Sequence, residues 1–337
     1  MQVLDRPASQ SFHAVAGRLL FFQSLDPQLA TLIEHLCAGW QLTPVSLPER
    51  SPDINITFTC SGSLPPAPAG LHEFEVAEGG RCYSAGHEFY LEFANSLLHV
   101  AHDANSLQHV AHDANSVQHA GAKDVVGVSV WIRKIPFPAA AELARVTSFA
   151  ICAALRRFGT FELHGAGVVI PNTDRGVLIV GPSGSGKSTL TTQLARAGWS
   201  YLSDDELLLT LNADEVEARG FRSFFALADS KRALKDCFEP AAIFTAARAE
   251  KVAPRFVFFT KIRGAGETQL DKLTQTETMS RLIRACPWAT YDTAIADPNL
   301  ELLSRLARQT QGFDLLAGTD LLEPNRASQI LSAVCRA

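Results

Sequence analysis

Residues 176–189 read Gly-Val-Leu-Ile-Val-Gly-Pro-Ser-Gly-Ser-Gly-Lys-Ser-Thr. Gly176–Val180 is a short apolar run of the kind that forms a buried strand, and Ser188–Ala197 is helix-competent until Gly198 stops it. Between them Gly181, Pro182, Ser183, Gly184, Ser185, Gly186, Lys187, Ser188 and Thr189 match G-x-x-x-x-G-K-[ST]. A chain of this composition would hold about 0.004 such matches by chance, so the motif is not incidental. Glycines let backbone N–H groups curl around an anion, and the helix that follows adds its positive dipole end. Lys187 suits the charge on outer phosphates, and the Ser188 hydroxyl suits Mg²⁺. The stretch predicts a nucleotide site in an α/β domain. The loop alone does not choose among ATPases, GTPases, transporters and small kinases.

The next segment narrows that choice. Tyr201-Leu202-Ser203 leads into Asp204-Asp205-Glu206 and then into the apolar run Leu207–Leu211. Three adjacent acids repel one another and are a poor choice for a structural strand. Beside a divalent cation and an acceptor hydroxyl they make sense: one carboxylate organises the metal and another takes a proton. An exposed acidic turn is the plain alternative.

With these residues the sequence resembles the C-terminal catalytic domain of HPr kinase/phosphorylase and the wider group of HPr-kinase-related serine kinases. Four features carry the resemblance: His164-Gly165 ahead of the strand, the phosphate loop, Asp204-Asp205 at 16 and 17 residues after Ser188, and Glu217-Ala218-Arg219-Gly220. It covers roughly residues 155–265. It implies Asp205 as catalytic base, His164 as the histidine near the transferred phosphate and Lys187 as the phosphate lysine. It also implies Ser188, Asp204 and Glu217 around Mg²⁺, and Arg255 as the downstream catalytic arginine, with Lys251 or Arg263 as substitutes. The loop here ends Lys-Ser-Thr, where HPr enzymes continue Lys-Ser-Glu, and the stretch from Asp205 to Glu217 is shorter than theirs. These departures point away from HPr as substrate and from the reverse phosphorylase reaction. Phosphoenolpyruvate carboxykinase shares the nucleotide domain, but its second metal cluster has no counterpart here.

Outward from this centre, the 337 residues carry 30 Lys+Arg and 35 Asp+Glu, a formal charge of −5, with 47% hydrophobic and 19% charged residues. That is ample material for packed cores. A pI near 6.1 argues against nucleic acid or an anionic membrane as partner. Seven scattered cysteines without a CxxC pair read as reduced thiols in a cytoplasmic protein. No apolar leader and no run of about 18 apolar residues is present, so neither secretion nor a membrane span is expected.

Before the nucleotide domain, Asp26 to Trp40 has helical spacing in Leu29, Leu32, Ile33, Leu36 and Cys37, and Ser61 to Gly70 reads as a loop. Short strand-like runs stand at Ile54–Thr59, Glu73–Val76, Glu88–Phe93 and Val125–Ile132. Residues 95–104 (NSLLHVAHDA) recur as 105–114 (NSLQHVAHDA) and, in part, as 115–120, and the segment holds His99, His102, His109, His112 and His119. Ten residues at about 100° each rotate successive copies by roughly 80°, which spoils a helical metal face. A tandem duplication that lengthened a surface loop is the better reading.

Pro136-Phe137-Pro138 precedes an Ala-rich helical segment at Ala139–Arg157 and suggests a boundary near 135. The expected organisation is a strand-rich α+β domain over 1–135 and a P-loop kinase domain of the HPr kinase/phosphoenolpyruvate carboxykinase type over 136–337. Further helices are expected at Glu277–Ile283, Asn299–Thr310 and Arg326–Cys335, with a strand at Phe313–Leu316. The resulting expectation is an ATP- and Mg²⁺-dependent kinase acting on a hydroxyl, serine of a protein or peptide. The first domain would recognise the partner or hold a homo-oligomer together. A small-molecule kinase, an ATPase or nucleotide switch, and a non-catalytic ATP-binding scaffold are the rivals.

Overall fold

A computed structural model describes residues 9–46, 48–66, 71–76, 79–101, 125–135, 137–228 and 235–336. They fall into two compact units. The first takes the described residues up to Ala38, Leu42–Gly159 and Trp288–Asp297; the second takes Gly39–Gln41, Thr160–Pro287 and those from Pro298 onward.

The first unit is built on strands β1 (Ser9–Val15), β2 (Arg18–Ser24), β3 (Thr43–Val45), β4 (Ile54–Ser61), β5 (His72–Val76), β6 (Gly80–Ala85), β7 (Glu88–Glu92), β8 (Ser96–Ala101) and β9 (Val126–Arg133). They form one sheet in the order β3-β1-β2-β4-β9-β8-β7-β6-β5. Its register lines up Phe22, Ile56, Val128, Val100 and Phe89 across five strands, all buried. Helix α1 (Pro27–Cys37) starts where Asp26 accepts from the amides of Gln28 and Leu29, and it packs on β1, β2 and β4. Helix α2 (Ala140–Arg156) buries Leu143, Val146, Ala150, Ile151 and Leu155 and packs on β4, β8 and β9.

The helix expected in the second domain therefore belongs to the first, and the chain passes from the first unit to the second at 159/160 rather than near 135. The Pro-rich break is a connection between β9 and the helix that covers its sheet. Glu142 strengthens that cover, accepting from the Asn95 amide at 3.0 Å and the Ser96 hydroxyl at 2.9 Å. Of the repeat, Ser96–Ala101 forms β8; His102, His109, His112 and His119 lie outside the described residues.

In the second unit, β10 (Thr160–Val169) leads through a turn to β11 (Arg175–Val180), the glycine loop and α3 (Lys187–Arg196). Then come β12 (Ser200–Ser203), β13 (Glu206–Asn212), β14 (Glu215–Gly220), the hairpin β15 (Phe225–Ala228) and β16 (Lys235–Phe238), and β17 (Lys251–Ile262). β18 (Gln269–Lys272) and α4 (Gln275–Ala285) follow. The chain returns to the first unit for α5 (Trp288–Tyr291), where Arg157 and Asp292, both buried, pair at 3.0 Å and Arg156 lies 3.9 Å over the Trp288 ring. It ends in the second unit with α6 (Ala296–Gln309), β19 (Gln311–Ala317) and α7 (Pro324–Arg336).

Two strands change partners part-way along this unit. The first half of β10 pairs antiparallel with β13, and its second half lies between β11 and β12. β17 pairs briefly with β14, then runs parallel to β11 and β19. Val177, Ile179, Leu190, Leu194, Phe258, Leu315 and Leu331 form the core that fixes β11 and α3 relative to each other. The expected strands and helices around the loop are all present, and the tail helices begin two to three residues early. No helix among the described residues is long and apolar enough to cross a membrane.

Candidate functional site

The glycine loop leaves β11 at Val180 and enters α3 at Lys187. A Cβ on Gly181 would stand 2.6 Å from Ser185 Oγ and 2.7 Å from the Thr260 carbonyl oxygen, so only glycine passes there. Gly186 takes φ +92° at the position before α3, a conformation that side chains resist, and no side chain caps the helix. The first amides of α3 are thereby left for an anion. Thr260, on β17 just past the register pair Val180–Phe259, donates to the Val180 carbonyl at 3.3 Å and holds the Ser185 hydroxyl at 3.0 Å.

β10 brings the histidine to this loop. Gly165 is the register partner of Val180, and its amide donates to the Asp205 carbonyl at 2.9 Å, so one position ties the loop strand to the acidic turn. His164 sits at the point where β10 exchanges β13 for β11. Lys187, 5% exposed, donates from Nζ to the carbonyls of Gly181 (2.8 Å) and Pro182 (3.2 Å) and to His164 Nε2 (2.9 Å). An ammonium has no acceptor, so Nε2 is the lone-pair nitrogen and the proton of a neutral imidazole lies on Nδ1. Nδ1 is 3.5 Å from Asp205 Oδ1.

The two aspartates differ in environment. Asp204 is 1% exposed; Oδ2 accepts from the Ala226 amide at 2.9 Å, and Oδ1 has no hydrogen-bond partner. Burial pushes its carboxyl up to about 6, against the Ala226 amide and the Ser188 hydroxyl, which favour the charged form. The Asp205 side chain is 31% exposed and faces His164. Glu206, register partner of His164, accepts from Arg222 at 3.1 Å; burial pushes it up to about 7, with Arg222 working the other way.

A hard cation fits this arrangement. A lone buried carboxylate oxygen beside a hydroxyl is the oxygen donor set that suits Mg²⁺ completed by phosphate oxygens and water. Among the described residues, no group of three or more His, Cys, Asp or Glu stands ready to hold a metal by itself.

Two of the expected site residues lie elsewhere. Glu217 pairs in register with Thr210, four residues along β13 from Glu206, or about 13 Å. Both its carboxylate oxygens are taken by Lys251, at 2.7 and 3.0 Å. Arg255 stands five residues before Thr260 on β17, about 16 Å from the loop, and pairs with Glu215 at 2.6 Å. Neither belongs to the cluster around Lys187. The spacing of the Glu-x-Arg-Gly segment matched, but the strand register carries its acid away from the loop. Of Lys251, Arg255 and Arg263, Arg263 alone lies at the loop end of β17, just past its last residue, and donates to the Glu267 carbonyl at 3.3 Å. Thr260, Arg222 and Gln41 carry no local motif and were not anticipated.

The profile of a family described as an AAA domain matches residues 177–255. This is a P-loop nucleotide-binding domain. The matched P-loop domain begins in β11 and ends in β17, taking in the loop, α3 and both aspartates. No curated protein matches the sequence. Among solved structures, the HPr(Ser) kinase/phosphatase from Coxiella burnetii is similar over 52% of this chain and 97% of that one, at 11% identity and a TM-score of 0.32.

Proposed function

We propose that the P-loop unit is an ATP- and Mg²⁺-dependent kinase that transfers the γ-phosphoryl group to a hydroxyl, serine of a protein or peptide. The observation that carries this reading is the division between the two aspartates: Asp204 is buried, with one bare oxygen and the Ser188 hydroxyl on its carboxyl, and Asp205 is half-buried and faces His164. An acid at this place can take a proton from an acceptor hydroxyl or from water, so the assays below separate transfer from hydrolysis. The motif resemblance set out above supports the same assignment.

Backbone amides of residues 181–188 and Lys187 bind the phosphates, and Ser188 and Asp204 hold the metal. Mg²⁺, when bound with ATP, neutralises charge on the phosphate oxygens. Asp205 takes the proton of the acceptor hydroxyl as its oxygen bonds to the γ-phosphorus and ADP leaves. His164, with its proton on Nδ1, steadies the Asp205 carboxylate. Positioning and electrostatics supply most of the acceleration. The first unit is assigned the recognition of the acceptor, and a cytoplasmic location accords with an ATP requirement.

Steady-state kinetics test the roles. Lys187→Ala and Asp205→Asn each lower transfer at least about 10²-fold, Asp205→Asn while still binding ATP. Near-wild-type transfer by either variant would sink the assignment, and acceptor-independent hydrolysis alone would make the protein an ATPase.

A further inference from the structure

Gly39, Trp40 and Gln41 lie between two stretches of the first unit, yet all three are built into the P-loop unit. Trp40 is 4% exposed and stacks on Phe221 with ring centroids 6.1 Å apart. Its backbone bridges antiparallel to Arg222; the Gln41 amide donates to the Phe221 carbonyl at 2.7 Å, and the Ser223 amide to the Gly39 carbonyl at 3.0 Å. The tripeptide is thus bridged, backbone to backbone, onto the segment that follows β14.

The Gln41 side chain goes further. Its Nε2 donates to the carbonyl of Leu202 at 2.9 Å and to that of Arg222 at 2.7 Å, using both protons of the carboxamide. Leu202 stands two residues before Asp204. Arg222 follows Phe221, whose amide donates to the Glu206 carbonyl at 3.0 Å. One side chain therefore pins the backbone on both sides of the acids. Gly220 admits it: a Cβ there would overlap the Leu202 carbonyl oxygen and Gln41 Nε2. That gives the Glu217–Gly220 segment a role that Glu217, far from the loop, does not fill.

We infer that Gln41 is a positioning residue of the phosphoryl-transfer site. It acts through the backbone of Leu202–Asp205, holding Asp204 where it meets Ser188 and Asp205 where it meets His164. The inference rests on the kinase reading of that site. Misplacing a catalytic group by about 1 Å costs on the order of 10²-fold, so a clamp beside two functional acids acts on rate more than on folding.

The test uses the full chain with Gln41→Ala and Gln41→Glu, plus Gln41→Asn, which keeps the carboxamide one methylene short of its two acceptors and serves where Gln41→Ala fails to fold. Affinity for a non-hydrolysable ATP analogue is measured in EDTA and in Mg²⁺, and kcat and KM are measured in parallel. For Gln41→Ala, affinity in EDTA stays within about twofold of wild type, while the gain in affinity from Mg²⁺ and kcat each fall by about tenfold. Gln41→Glu falls further, because a carboxylate offers two carbonyl oxygens charge instead of protons. An Mg²⁺ gain and kcat that survive Gln41→Ala overturn the inference alone. So does an equal loss in EDTA and in Mg²⁺, which marks a structural residue. A wild-type protein without any Mg²⁺ gain overturns the kinase reading and the inference with it.

Discussion

Asp204→Asn isolates what the buried acid costs the fold. Burial raises its carboxyl from the ordinary 3.8 to about 6, the nearby Asp205 charge adds to this, and the Ala226 amide and Ser188 hydroxyl oppose it. The unfolded chain loses this proton near 3.8, whereas the folded one keeps it to about 6. Folding is therefore penalised progressively as pH rises through that window, and fully above it. At about 1.36 kcal/mol for each pH unit between the two values, the penalty at pH 8 is about 3 kcal/mol. At pH 5 the acid is still mostly protonated in the folded state, and about half of that penalty remains. Asparagine keeps an acceptor for the Ala226 amide and removes the charge. In EDTA the variant is accordingly more stable than wild type by about 2–3 kcal/mol at pH 8, and by about half as much at pH 5. Urea unfolding at the two pH values measures both gaps. Melts with an ATP analogue complete the test: Mg²⁺ adds stability to wild type and not to the variant. An Asn variant that is no more stable at pH 8, or whose advantage does not shrink at pH 5, refutes the reasoning.

Two further predictions separate this site from its surroundings. Glu217→Ala and Arg255→Ala each break an exposed or half-exposed ion pair away from the loop, so kcat and the Mg²⁺ dependence stay within about twofold of wild type; a tenfold loss in either would restore those residues to the site. Asp292→Ala leaves the Arg157 guanidinium buried without its carboxylate and costs about 3–5 kcal/mol, read as a lower urea midpoint, whereas an unchanged midpoint contradicts the buried pair.

The centre of the site was legible in the sequence because its parts are local. The phosphate loop, α3 and the aspartate pair lie within 30 residues, and each has a chemistry that its spacing announces. His164 was reached through resemblance, and the register of Gly165 with Val180 explains why it arrives at the loop. Glu217 and Arg255 were misplaced for a single physical reason. A residue's position along a strand sets its distance from the loop, and that register depends on partners distant in sequence. Gln41 was invisible for the same reason: its two acceptors are 161 and 181 residues away. The boundary near 135 followed a Pro-rich break, but the apolar face of α2 packs on β8 and β9, and packing decides which unit owns a helix.

The claim that this P-loop unit moves a phosphoryl group to a hydroxyl is tested most directly with γ-labelled ATP and Mg²⁺. The full chain is incubated with proteins of its own cell, followed by phosphoamino-acid analysis of the labelled material. Label recovered as phosphoserine on a distinct protein or peptide, and lost with Asp205→Asn, is the result predicted. Label released only as free phosphate, at a rate indifferent to added proteins, would contradict it.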